Sequence, residues 1–142
     1  MPPAVQGRAA GVGAALAGLA DVGIAAEDAV FTIPEMNHDI APTLVMTALV
    51  ERMPRNHLAR MVITRDAIDG KMAQTLGIIS IVTPAAKLSE ELARVRKQAA
   101  TASVHTIRAV KAFITASSET SFATRRDYAA MVNAAAMAER FR

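Results

Sequence analysis

Glu35 closes the stretch Phe31-Thr32-Ile33-Pro34-Glu35, in which an apolar, β-prone run ends in a carboxylate. Proline cannot donate to a sheet ladder, so the strand has to stop there and Glu35 falls at the loop end. Rigid elements present reactive groups at such ends without burying them. A carboxylate at such a loop end is suited to general acid–base work. Upstream lies Gly7-Arg8-Ala9-Ala10-Gly11-Val12-Gly13-Ala14-Ala15-Leu16-Ala17. It reads as a tight glycine turn feeding a small-residue helix, with backbone N–H groups exposed at the helix start. Carboxylate and donors together make a candidate active site of Glu35, Gly11, Val12 and Gly13. Gly11-Val12-Gly13 alone makes a poor dinucleotide fingerprint, because the third glycine would fall at Leu16. It also reads as a turn that lets a helix pack closely on a strand. Glu35 and His38 form a Glu-x-x-His pair, but a carboxylate metal centre needs a second pair and the sequence has none. No metal is expected.

The elements that must position these groups follow from pattern. Ala4-Val5-Gln6 reads as a strand, the helix runs from about Gly11 to Leu19, Asp21 to Ala25 is a second strand, and a third ends at Pro34. Strand, helix, strand, strand is an α/β signature. Beyond Glu35 the texture is helical. Val45, Ala48, Leu49 and Met53 share one face after Pro42, and Leu58, Met61 and Val62 share another after Pro54. Asp69 reads as an N-cap and Gly77 as the residue past a helix end, leaving Ile78 to Val82 as a strand. From Ser89 an amphipathic helix carries Leu92, Val95 and Ala99. A further helix carries Val104, Ile107, Val110 and Ile114, and a last one Tyr128, Met131, Val132 and Ala135. Ser117 to Ser121 separates the last two. Residues 1–84 are expected to form the core and residues 85–142 a helical region of the same domain.

Composition excludes several classes. The 142 residues suffice for one core, and +3 net charge spread from Arg8 to Arg142 is too weak to imply nucleic acid. Scarce aromatics remove the stacking platforms of single-strand binders. The cluster Arg94, Arg96, Lys97, Arg108 and Lys111 reads as a solvated face, and His57 and His105 as helix residues rather than ligands. With no cysteine there is neither a disulfide nor a thiolate site. No stretch reaches the ~20 apolar residues of a membrane span. No membrane or nucleic-acid partner is expected, and the cytoplasm is the expected compartment. There is no G-x-S-x-G elbow and no phosphate-binding P-loop.

The run from Val5 to Gly13, with Leu16-Ala17, Asp21, Ile24-Ala25, Ala29, Phe31 and Pro34-Glu35, resembles the crotonase pattern of the enoyl-CoA hydratase/isomerase family. Thr64 to Gly70, Ala73, Leu76-Gly77-Ile78 and Val82-Thr83-Pro84 are similar to the family segment leading into its late strand. The resemblance covers residues 4 to about 114 and is to the later part of the family chain. It implies an α/β fold, a ββα spiral with later repeats only, followed by C-terminal helices. It implies an enzyme acting on acyl-CoA thioesters, with coenzyme A as part of the substrate and no other cofactor, assembled as a homotrimer or hexamer. By position the Val12 N–H would be an oxyanion donor and Glu35 the family's second catalytic glutamate. Ala15 falls where two-glutamate hydratases carry their first, which leaves proton transfer to one group. Asp39 replaces a common family glycine, and Thr43-Leu44-Val45-Met46-Thr47 replaces a glycine-rich tract. A noncatalytic, interaction-only remnant of the same fold is the alternative.

Overall fold

The structure, a computed structural model, describes residues 2–117 and 121–140. Its chain falls into two compact units, Met1–Arg96 and Lys97–Arg142. Residues 85–96, expected with the C-terminal helices, therefore belong to the first compact unit.

The first unit repeats a simple theme. β1 (Ala4–Val5) and β2 (Arg8–Ala10) are followed by α1 (Val12–Leu19), and β3 (Ile24–Ala26) and β4 (Val30–Thr32) by α2 (Thr43–Leu49) and α3 (Arg55–Thr64). β5 (Ile68–Asp69), α4 (Gly70–Leu76) and β6 (Ile81–Thr83) complete it. The first four strands alternate between two sheets, β5 joins the sheet of β4, and β6 returns to the other. One sheet has the order β1-β3-β6, all parallel, and the other β2-β4-β5, with β2 parallel and β5 antiparallel to β4. This is the ββα spiral implied by the resemblance, with each turn of chain adding one strand to each small sheet.

Local chemistry fixes the helix ends. The Asp69 carboxylate accepts the Met72 N–H at 2.7 Å and so caps α4, while Gly77 ends it at φ +92°, where a side chain would be strained. Pro54 precedes α3, which buries Leu58, Met61 and Val62 as its periodicity predicts. Phe31 and Ile33 on the β4 segment, with Ile24, Leu49, Leu58 and Met61, are the large fully buried side chains around which the unit closes. Each contributes roughly 1.5–3 kcal/mol of burial.

Three expectations shift. The expected strand Ile78–Val82 begins only at Ile81, because the N–H groups of Ile78 and Ile79 both turn back to the Ala73 carbonyl at the end of α4. β2 lies inside what reads as a glycine turn, and β5 has no counterpart in the sequence pattern. Both are short strands defined by distant partners, Arg8 by Val30 and Ile68 by Phe31.

After the 3-10 turn Ala85–Lys87, α5 (Leu88–Ala99) carries an ion pair in which Arg94 grips the Glu91 carboxylate through both Nε, at 2.9 Å, and Nη2, at 2.6 Å. The second unit contains α6 (Val104–Ser117) and α7 (Phe122–Arg140), whose Phe113 and Tyr128 rings stack at 6.3 Å. Of the expected Ser117–Ser121 separator, residues 118–120 lie outside the described residues, Ser117 ends α6, and Ser121 precedes α7. Among the described residues no helix is long and apolar enough to cross a membrane.

Candidate active site

Glu35 is held by a turn that leaves little freedom. Pro34 swings the chain out of the β4 segment at φ −90°, ψ 1°, and Glu35 opens the 3-10 helix Glu35–His38. That helix ends at Asp39 in the left-handed region, φ +56°, with its N–H donated to the Met36 carbonyl at 3.2 Å. Ile40 N–H returns to the Glu35 carbonyl at 3.3 Å. A left-handed position is what glycine tolerates best and aspartate better than most, so Asp39 is accommodated there.

Gly11 meets Glu35 from the other side. β2 ends at Ala10, and Gly11 turns the chain at φ +51° to become the N-cap of α1. The Gly11 N–H donates to the Thr32 carbonyl at 2.9 Å, and its own carbonyl accepts the Ala15 N–H at 3.0 Å. A Cβ on Gly11 would overlap Glu35 Oε1. The carboxylate occupies the room that a missing side chain leaves. Glu35 Oε2 is buried and, among the described residues, has no hydrogen-bond partner, and the Thr32 hydroxyl is in the same condition. A buried acceptor left unpaired is costly and recurs where chemistry needs it.

The four candidate residues thus divide. Gly11 supplies space and a bend, since its N–H is already engaged. Val12 and Gly13 are the first residues of α1, where N–H groups have no intrahelical acceptor, and the glycine N-cap has no side chain to cap them. Those donors share the Gly11 corner with the Glu35 carboxylate. The positive end of the helix dipole adds to their pull on developing negative charge. Ala15 is buried in the core cluster, so no second carboxylate stands on α1 at that point. Asn37, His38 and Asp39 are exposed, and His57 is half-buried on α3. Among the described residues no three His, Cys, Asp or Glu side chains form a metal-sized group. Arg94 is engaged by Glu91.

Thr32 is the residue that sequence pattern overlooks. Its carbonyl fastens the N-cap of α1 to the strand that carries Glu35, a link that depends on the parallel pairing of Ala10 with Thr32. The alternation around Phe31 and Ile33 was the available signal that Thr32 faces the other side of the strand. Nothing in that alternation names its partner.

Comparison with known proteins identifies the family and the fold. The family described as Enoyl-CoA hydratase/isomerase matches residues 3–141. The chain is 37% identical over 82 residues to 2,3-dehydroadipyl-CoA hydratase of Escherichia coli K12, covering 57% of this chain and 32% of that protein. It is 30% identical over 99 residues to the human mitochondrial enoyl-CoA hydratase domain-containing protein 3, covering 70% and 33%. Among solved structures, a Thermobifida fusca YX protein in complex with acetoacetyl-CoA superposes with TM-score 0.88 at 26% identity, covering 96% of this chain and 54% of that one. The chain therefore spans about a third of the length of these curated relatives and about half of that solved chain. With a family match over nearly every residue and two sheets wound in the same spiral, the chain belongs to the enoyl-CoA hydratase/isomerase family.

Proposed function

We propose that the protein acts on an acyl-CoA thioester, moving a proton with Glu35 while the Val12 N–H holds the carbonyl oxygen. The observation that carries this reading is the Gly11 corner, where an unpaired, buried carboxylate oxygen sits beside uncapped helix donors. The Glu35 carboxylate takes a proton from the carbon next to the thioester carbonyl. The electron pair moves onto the carbonyl oxygen, and the enolate charge is taken up by the uncapped N–H groups at the start of α1. The protonated Glu35 then returns the proton to the γ-carbon of a 3-enoyl chain, which shifts the double bond and restores the carboxylate. One carboxylate suffices for that cycle. Addition of water, which two-glutamate sites share between two groups, is harder to assign with Ala15 where the other would stand.

The same reading extends to assembly as a homo-oligomer, trimer or hexamer. It is supported by the exposed apolar side chains Leu16, Leu19 and Leu44 of α1 and α2.

Replacement Glu35→Gln in the natural full-length protein tests the reading. With 3-enoyl-CoA as substrate, kcat should fall about 10²-fold or more while thioester binding is largely kept. An unchanged kcat would remove Glu35 from the mechanism.

A further inference from the structure

Val12 opens α1. Its side chain is 65% exposed, and the residues on either side of it are glycines. Leu16, one turn on, is 63% exposed, and Leu19 continues the same face. The buried side of the helix is built from Ala14, Ala15, Ala17 and Gly18. The fold therefore has no need of bulk at position 12, because the valine side chain is not part of the core.

Bulk there has a consequence for anything bound to the neighbouring N–H. An oxygen accepting from Val12 N sits ~2.9 Å from it. The Val12 Cβ is two bonds from the same nitrogen, each about 1.5 Å. The carbon carrying that oxygen, and the carbon next to it, consequently come within van der Waals reach of the isopropyl group. Valine is branched at Cβ and stiff at χ1, so it cannot swing aside as leucine or methionine does. On the other side the Glu35 carboxylate fills the space at Gly11. A reacting carbon whose oxygen is held by the Val12 N–H therefore lies within reach of the isopropyl group while Glu35 approaches it from the Gly11 corner.

Resting on the thioester reading above, we propose that Val12 is a specificity-determining residue that admits acyl groups with an unbranched carbon next to the carbonyl and rejects those carrying a methyl there. Its N–H binds the oxygen and its side chain measures the substituent beside it.

The test compares trans-3-pentenoyl-CoA with its 2-methyl homologue in wild type, Val12→Ala and Val12→Thr of the natural full-length protein. Calorimetric binding of both thioesters is measured beside kcat/KM. Val12→Ala should raise the branched-to-unbranched ratio about 10-fold, the scale on which a single methylene is discriminated. Val12→Thr, equally branched at Cβ, should keep the wild-type ratio. A ratio unmoved by Val12→Ala, or moved equally by Val12→Thr, overturns the steric filter while leaving the thioester reading intact. A wild-type protein that neither binds nor converts either thioester overturns that reading, and the filter with it.

Discussion

The two compact units treat similar apolar patterns in opposite ways. In Met1–Arg96, helix faces read from spacing become core, with Leu58, Met61 and Val62 of α3 and Val45 and Leu49 of α2 all buried. In Lys97–Arg142, the face Val104, Ile107, Val110 and Ile114 of α6 has equally regular spacing, yet all four are exposed, Ile114 at 57%. None of the described residues of that unit is buried. Its helices share a seam in which Phe113 stacks on Tyr128, beside a groove of about 350 Å³ lined by Val110, Val132 and Met137 among others. Helical spacing identifies a face that can be covered. Whether it is covered depends on how many layers the chain can bring to it, and two small sheets with the helices packed on them supply what one helix pair cannot.

The contrast is broken or sharpened by substitution, most strongly inside the first unit. Leu58→Ala should cost about 2–5 kcal/mol in chemical denaturation, because the vacated space is enclosed. Ile114→Ala, removing a similar side chain from the exposed face of α6, should stay within about 0.5 kcal/mol. Comparable losses at the two positions would show that α6 is covered in solution. A smaller but more telling effect is expected at Gly11→Ala. Its left-handed φ alone should cost about 1 kcal/mol or more. The added methyl also displaces Glu35 Oε1, so activity should be lost well below the temperature at which the protein melts. Full activity in this variant would mean that the carboxylate works from somewhere else.

The smallest effect lies on the outer surface of the first unit. Hydrogen bonding from Arg94 lowers the Glu91 pKa, against a weaker opposing push from burial. A depressed folded value means the pair supports the native state above the ordinary glutamate range. That support is lost as pH falls through the folded value. Stability should therefore decline slightly less on acidification in Glu91→Gln than in wild type, as followed by helix circular dichroism. An identical decline would assign the acid sensitivity to other carboxylates.

What could be read from the chain was local chemistry. Asp69 and Gly77 frame α4 because capping and left-handed termination depend on residues within one turn. Pro34 marks the strand end that presents Glu35 for the same reason. What could not be read depends on partners far along the chain. β2 and β5 are too short for an alternating pattern, and only pairing with β4 defines them. The division of labour between Gly11 and Val12 also stayed hidden. Both sit at a helix start with a backbone donor, and only the Thr32 carbonyl decides which of the two N–H groups is spent.

That one hydrogen bond sets the tolerances of the site. Thr32 and Glu35 are three residues apart on one rigid segment, and Gly11 and Val12 are adjacent. Fastening Gly11 to Thr32 therefore places Glu35 and the Val12 N–H relative to each other through a closed loop of a few peptide units, with no remote packing in the chain of dimensions. Shifts elsewhere in the spiral carry the loop along as one piece. Sequence outside these short stretches can change without altering the separation of Glu35 from the start of α1 in this loop. The peptide links behave like a gauge block, holding a separation that neither sheet has to measure.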